Sequence, residues 1–159
     1  MIATEVTKPA PTSLVIRRTF DAPVERVFDA WLSPEALRFM LMGDEHKVVG
    51  IEVDARPGGS YRISWETQKD GVWHCGGVYR EIVKNERIVC TWTWEEDDPA
   101  DVQDTLLTLE FHALAPGKTE FVLTHTNFRT ETSRDSHGEG WAEAINRLAQ
   151  RLEAAQNAG

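Results

Sequence analysis

The side chains that could do chemistry in this chain are few, and they sit among apolar residues. They are His74 and His125, the hydroxyl of Tyr61, the thiol of Cys90, and the indole nitrogens of Trp65, Trp92 and Trp94. Histidine can transfer a proton near neutral pH, whereas an indole nitrogen can only donate a hydrogen bond. Bulky apolar walls with a few polar groups are typical of a pocket for a small molecule. The pattern therefore favours binding of, or acid–base chemistry on, an apolar molecule.

Motifs for other kinds of chemistry are missing from the sequence. It contains no nucleophile elbow, no HExxH zinc motif and no phosphate-binding loop. Cys75 and Cys90 fit neither a metal-binding spacing nor a CxxC motif, and an expected offset of about 16 Å along paired strands predicts two free thiols. The carboxylates at 95–98 predict a solvated acidic loop. We therefore expect no metal and no cofactor.

The same residues also admit a structural interpretation. Tryptophans more often fill a core than line a ligand, and a histidine beside the core is often held by hydrogen bonds. If His125 or His74 is instead catalytic, it would act as the acid–base group, with a carboxylate or Tyr61 as its orienting partner. Both interpretations stay open at this point.

Length and charge narrow the class of protein. A chain of 159 residues predicts one domain with a core of its own, here residues 13–157, preceded by a flexible tail over residues 1–12. The net charge of −9 argues against nucleic acid and an anionic membrane surface as partners. No apolar run is long enough to cross a bilayer and the first residues show no signal pattern, so we expect a cytoplasmic protein.

Seven strands and three helices are expected to position these side chains. The first strand is SLVIRRTF (13–20), and two short helices follow it, with Pro23 and Pro34 at their first helical positions. Six further strands alternate with turns, and an amphipathic helix over 133–156 ends the chain. This order predicts an α+β fold in which a curved seven-stranded antiparallel sheet wraps around the long C-terminal helix.

The alternation of side chains along the strands assigns the candidate site. One face of the sheet carries large apolar residues, so we expect that face to look toward the helices. Because the sheet is wider than one helical stripe, we expect volume to remain between them. The candidate ligand-binding residues are Trp31, Phe39, Met40, Met42, Tyr61, Ile63, Trp65, His74, Val78, Cys90, Trp92, Trp94, Leu107, Leu109, Phe121, Leu123, His125, Trp141, Ile145 and Leu148.

A series of motifs along the chain resembles a known family. The stretches FDAPVERVFDAWLSPEAL, DARPGGSYRI, DGVWHCGGVYREIVKNERIVCTWTW, LTHTNF and GWAEAINRLAQRL follow one another within residues 13–153. In this order they resemble the family named for the activator of the heat-shock-protein-90 ATPase, within the START-like (SRPBCC, birch-pollen-allergen-like) superfamily. The resemblance implies a helix-grip fold with a cavity between sheet and helix. That superfamily includes hydrophobic-ligand carriers, polyketide cyclases and domains that contact the chaperone.

One segment departs from the family pattern. Where members usually carry a tryptophan-rich stretch similar to WWGP, this chain has RFMLMGDE, from Arg38 to Glu45. Methionine adapts to irregular volumes more readily than tryptophan does. The departure implies a softer and more apolar mouth of the cavity near Met40 and Met42.

The residues and the resemblance together favour a protein that binds a small hydrophobic or aromatic molecule, with His125 and His74 orienting it. The alternatives are a cyclase- or hydrolase-type enzyme acting on an apolar substrate, and a chaperone-interaction module. The partners considered are accordingly a small hydrophobic molecule, a second copy of the chain and a chaperone. Binding is preferred over catalysis because only the analogy of fold supports an enzyme.

Overall fold

An antiparallel sheet, with helices packed on one of its faces, makes up the part of the chain that the structure describes. The structure is a computed structural model, and it describes residues 4–42, 46–67, 71–96 and 105–158. The strands are β1 (Glu5–Ala10), β2 (Ser13–Phe20), β3 (His46–Val53), β4 (Ser60–Thr67), β5 (Gly71–Val83), β6 (Arg87–Trp94), β7 (Thr105–Ala115) and β8 (Lys118–Thr126), and the helices are α1 (Val24–Ala30), α2 (Pro34–Leu41) and α3 (Glu131–Ala158). Within these ranges, no helix combines the length and the apolar character needed to span a membrane.

The sheet confirms the predicted α+β class but has one strand more than the seven expected. Its order is β1-β2-β8-β7-β6-β5-β4-β3, and every neighbouring pair is antiparallel. The additional strand, β1, lies within the segment 1–12 that the sequence predicted as a flexible tail. Pro9 argues against a helix there, but it is tolerated in an edge strand, where its nitrogen needs no partner. The pairing of β1 with β2 is irregular between Thr7 and Ala10, around that proline.

The helix ends follow local capping chemistry. The predicted cap is confirmed at Ser33, whose hydroxyl oxygen accepts a hydrogen bond from the backbone N–H of Ala36 at 3.3 Å. The sequence predicted Pro23 as the first helical residue, but it is the residue before the helix, and its backbone is extended, with a ψ of 148°. Helix α3 begins at Glu131, earlier than expected, because the Thr130 hydroxyl accepts a hydrogen bond from the Ser133 N–H.

The core lies between the helices and one face of the sheet. Tyr61, Ile63 and Trp65 on β4 all point to that face and are buried, as predicted. The core also contains further predicted site residues of the strands and α3, namely Cys90, Trp92, Leu107, Leu109, Phe121, Leu123, Trp141, Ile145 and Leu148.

His74 and Val78 lie on the opposite, outer face of the sheet, which corrects their assignment to the inner set. Pairing across β4 and β5 places Ile63 opposite Cys75 and Ser64 opposite His74, so Cys75 faces the core and His74 does not. Val78 is accordingly 44% exposed. Alternation could not choose between the two faces of β5, because both carry apolar residues.

Gly77 allows β5 and β6 to approach closely beside the inner face. A Cβ atom at Gly77 would lie 1.9 Å from the carbonyl oxygen of Thr91. That same oxygen accepts a hydrogen bond from the Tyr61 hydroxyl, and the Thr91 hydroxyl accepts one from the Val78 N–H. Because Gly77 has no side chain, β6 can lie close to β5, and this close approach sets the position of the large inward residues of β6.

Replacing Gly77 by alanine should destabilise the fold. We expect G77A to lower the free energy of unfolding by about 3 kcal/mol, because the new methyl group must displace backbone atoms. Gly140→Ala is the matched control. Apart from its chain neighbours and the backbone of α3 itself, no described residue comes within 4 Å of a Cβ at that position, so G140A should raise the free energy of unfolding by up to about 1 kcal/mol. Urea unfolding of the two variants measures both, and equal effects would contradict the close approach at Gly77.

Candidate functional site

All six tryptophans belong to one connected group of rings between the sheet and α3. Trp92 is at its centre, with ring centroids 4.9 Å from Trp141, 6.0 Å from Trp94 and 6.5 Å from Trp65. The group, called here the aromatic cluster, consists of the six tryptophans with Tyr61, His125, Phe128 and His137. Several predicted site residues thus come together around Trp92.

Helices α1 and α3 contribute the far side of the aromatic cluster. The backbone of α3 packs most closely against β2 and α2, and Trp141 extends from it to contact Trp92. Trp31, the residue that ends α1, is 5.8 Å from Trp141 and stacks on Phe121 at 5.0 Å. Aromatic side chains rather than backbone contacts therefore connect α3 to β6.

The aromatic cluster extends from the deep interior toward the surface at one end. Trp65 and Trp92 are each 6% exposed, whereas Trp73 and Trp94 are only half-buried. Trp73 and Trp94 contact each other at 6.3 Å, with the rings nearly perpendicular.

His125 is fully buried, and both of its ring nitrogens are engaged. Its Nδ1 accepts a hydrogen bond from the indole N–H of Trp141 at 3.1 Å, so the ring proton must sit on Nε2. That Nε2–H donates to the hydroxyl of Thr105 at 2.7 Å, and the Thr105 hydroxyl donates to the Trp92 carbonyl at 2.6 Å. Burial, with a smaller contribution from His137, lowers the pKa of His125 well below its ordinary value. The imidazole is therefore neutral and has no nitrogen left for a ligand.

His137, which sequence analysis missed, closes the half-buried end of the aromatic cluster. Its Nε2 accepts a hydrogen bond from the indole N–H of Trp94 at 3.0 Å, and its Nδ1–H donates to the Ser133 carbonyl at 2.8 Å. His137 precedes Trp141 by one helical turn, so it lies on the same side of α3. That spacing was a usable signal, but the predicted apolar stripe began only at Trp141.

Tyr61 and Cys90 are buried neighbours with little capacity for acid–base chemistry at neutral pH. The Tyr61 hydroxyl donates to the Thr91 carbonyl, and the Cys90 sulfur lies 3.9 Å from the Tyr61 oxygen. Burial raises the pKa of Tyr61 well above its ordinary value and raises the pKa of Cys90 to about 12. Cys75 and Cys90 are both buried and neither forms a disulfide, which confirms the prediction that the two thiols are not bonded to each other.

Four predicted site residues lie on the outer face of the sheet or at the surface. His74, on the outer face, has its Nδ1 2.5 Å from the Glu96 carboxylate. Val78 is on that face too, and Phe39 and Met42 are 42% and 36% exposed on and beside α2. Met40, in contrast, is fully buried. The predicted solvated loop at 95–98 and the hairpin at 70–71 fall partly outside the described residues.

Two buried indole groups have no hydrogen-bond acceptor among the described residues. They are the Nε1–H groups of Trp92 and Trp31, whose side chains belong to residues only 6% and 4% exposed. Trp65, Trp94 and Trp141 differ, because their N–H groups donate to the Leu41 carbonyl, to His137 and to His125. An unpaired buried donor costs about 1–3 kcal/mol, so these two nitrogens are places where an acceptor from outside the chain would be stabilising.

The neutral state of His125 predicts a loss of stability in acid. Below about pH 6.5 the unfolded chain protonates His125 while the folded chain does not, so the free energy of unfolding falls with pH, by up to about 1.4 kcal/mol per unit from this group. H125Q keeps one donor and one acceptor but does not titrate. We expect urea unfolding between about pH 7.5 and about pH 5.5 to give a flatter profile for H125Q. Parallel profiles would show that His125 is not held neutral.

Solved structures of similar proteins share this architecture. A protein from Chromobacterium violaceum is 27% identical, with 90% of this chain and 99% of that chain covered and a TM-score of 0.79. One from Rhizobium leguminosarum is also 27% identical, covering 97% of this chain and 99% of its own at a TM-score of 0.71. A protein from Rhodobacter sphaeroides is 22% identical, with coverages of 96% and 99% and a TM-score of 0.81, a likeness of fold alone.

A search among curated proteins finds no match to the sequence. The sequence profile of a family, in contrast, matches residues 21–153, from the start of the segment before α1 to near the end of α3. That family is described as "Activator of Hsp90 ATPase homolog 1-like protein". Because the match covers most of the chain, and the helix-grip arrangement of sheet and C-terminal helix recurs in the solved structures, the chain belongs to this family of the START-like superfamily.

Proposed function

We propose that this protein binds a small hydrophobic or aromatic molecule between its sheet and α3. The observation that carries the proposal is the indole N–H of Trp92, which is buried at the centre of the aromatic cluster without an acceptor among the described residues. A ligand with an acceptor atom would pair that donor, and its apolar surface would gain about 25 cal/mol for each Å² removed from water.

The fold class supports this proposal without naming the ligand. START-like folds commonly hold hydrophobic molecules between sheet and helix, and this chain shares that fold. The half-buried Trp73 and Trp94 at one end of the aromatic cluster supply an apolar approach. A pairing of two chains and a contact with a chaperone stay predictions.

The enzymatic alternative has less support from the site. A histidine that acts as general acid or base must reach the reacting proton through a free ring nitrogen, and both nitrogens of His125 already have partners within the fold. His74 lies beside Glu96 on the outer face of the sheet. The predicted orienting partner, Tyr61, donates its hydroxyl proton to a backbone carbonyl. Binding therefore explains more of the geometry than catalysis does.

The neutral fluorescent probe N-phenyl-1-naphthylamine tests the proposal. We expect saturable binding of one probe per chain, with an increase in probe fluorescence as it leaves water. Trp94→Ala removes an aromatic wall and should weaken binding about tenfold, which corresponds to about 1.4 kcal/mol of lost contact.

Val78→Ala is the control, because it changes an exposed side chain on the outer face of the sheet. Its dissociation constant should stay within about twofold of the wild-type value. Thermal unfolding of each variant verifies that the comparison is made on folded protein. Failure of the wild type to saturate, or equal weakening by both substitutions, would contradict a binding site at the aromatic cluster.

A further inference from the structure

Two unpartnered donors, rather than one, border the same ring of α3. Trp92 contacts Trp141 at 4.9 Å and Trp31 contacts it at 5.8 Å. The N–H groups of both Trp92 and Trp31 are buried, and neither has an acceptor among the described residues. They come from β6 and from the residue that follows α1. Because both tryptophans contact the ring of Trp141, a ligand that pairs with them would lie beside that ring.

Apart from Trp73 at the half-buried end, the other polar groups of the aromatic cluster are already paired with one another, with Thr105 or with the backbone. Trp141 donates to His125, Trp94 donates to His137 and Trp65 donates to the Leu41 carbonyl. The hydroxyls of Tyr61 and Thr105 donate to backbone carbonyls on β6. What the aromatic cluster can offer a ligand, beyond apolar contact, is therefore hydrogen-bond donation from Trp92 and Trp31.

The charges around the interior disfavour an anionic ligand. His125 is neutral, and the guanidinium groups of Arg38, Arg147 and Arg134 donate to the backbone carbonyls of Val48, Met40 and Ala10. The chain as a whole carries a net charge of −9, which repels anions at a distance. A carboxylate moved into the aromatic cluster would lose its hydration without gaining an opposite charge there.

We propose that the ligand is an uncharged aromatic or alicyclic molecule whose carbonyl-type oxygen accepts hydrogen bonds from Trp92 and Trp31. This inference rests on the proposed function and adds the chemistry of recognition to it. Apolar surface supplies affinity, and the two indole donors discriminate an acceptor-bearing molecule from a hydrocarbon of the same shape. A ketone, an ester or a quinone meets this requirement, and a fatty-acid carboxylate does not.

Three probes of nearly equal shape test the inference on the wild-type protein. 2-Acetylnaphthalene carries the carbonyl, 2-ethylnaphthalene lacks an acceptor, and 2-naphthoate carries a charge. We expect calorimetric titration to give a dissociation constant about tenfold lower for the ketone than for the hydrocarbon, with the carboxylate the weakest of the three. In ¹H–¹⁵N spectra, the ketone should move two indole signals downfield and the hydrocarbon should not.

Tryptophan-to-phenylalanine variants assign the donors. W92F and W31F keep an aromatic ring but remove the N–H, so each should reduce the ketone's advantage over the hydrocarbon by about threefold or more. The smaller ring changes the apolar contact with both probes alike, so the ratio of their dissociation constants is the readout. Val78→Ala is the control, since it changes an exposed side chain on the outer face of the sheet, outside the aromatic cluster. That variant should keep the full preference.

The outcomes separate this inference from the proposed function. Equal wild-type affinities for ketone and hydrocarbon would overturn the inference and leave hydrophobic binding standing. Absence of binding by all three probes would overturn both. Tightest binding of the carboxylate would overturn the neutral character of the ligand and implicate a cation such as Arg18, whose Nε lacks a partner among the described residues. A ketone preference that survives in both W92F and W31F would overturn the assignment of donors. If a variant does not fold, the affinities of the wild-type protein for the three probes still test the inference.

Discussion

A chain of three hydrogen bonds holds α3 against the sheet, and the chemistry of the interior depends on it. Trp141 donates to His125, His125 donates to Thr105, and Thr105 donates to the Trp92 carbonyl, so α3, β8, β7 and β6 are connected in series. Each donor has one proton and each acceptor is used, which permits one histidine tautomer only. Because this pairing takes place at a fully buried ring, losing any member would leave a polar atom unsatisfied in an apolar setting.

The same three hydrogen bonds give His125 a structural role. His125 looks like the natural polar contact for a ligand, since it is a titratable group on the apolar face of the sheet. Its hydrogen bonds instead make it part of the framework, and the polar groups that remain for a ligand are the indoles of Trp92 and Trp31. A site whose only spare groups are donors accepts oxygen-bearing neutral molecules, whereas a site with a spare imidazole would also accept acids.

Most of the framework could be predicted from local pattern, and the functional details could not. The strand at residues 13–20 and the Ser33 cap follow from propensity and capping, so the sequence reveals them directly. The inner position of Cys75 and outer position of His74 depend on the register between β4 and β5, which two apolar faces do not specify. Which indoles lack an acceptor depends on distances between elements far apart in the chain. The sequence shows six tryptophans but cannot show that two of them have unpaired N–H groups.

The unpaired donors also bear on stability. A buried N–H without an acceptor costs about 1–3 kcal/mol, and two of them are a substantial fraction of the roughly 5–15 kcal/mol by which domains are stable. Trp65, Trp94 and Trp141 show that this fold can provide acceptors for indoles from α2, α3 and β8. Phenylalanine at positions 31 and 92 would retain the ring and avoid the cost. The proposed acceptor-bearing ligand would remove this cost at both tryptophans.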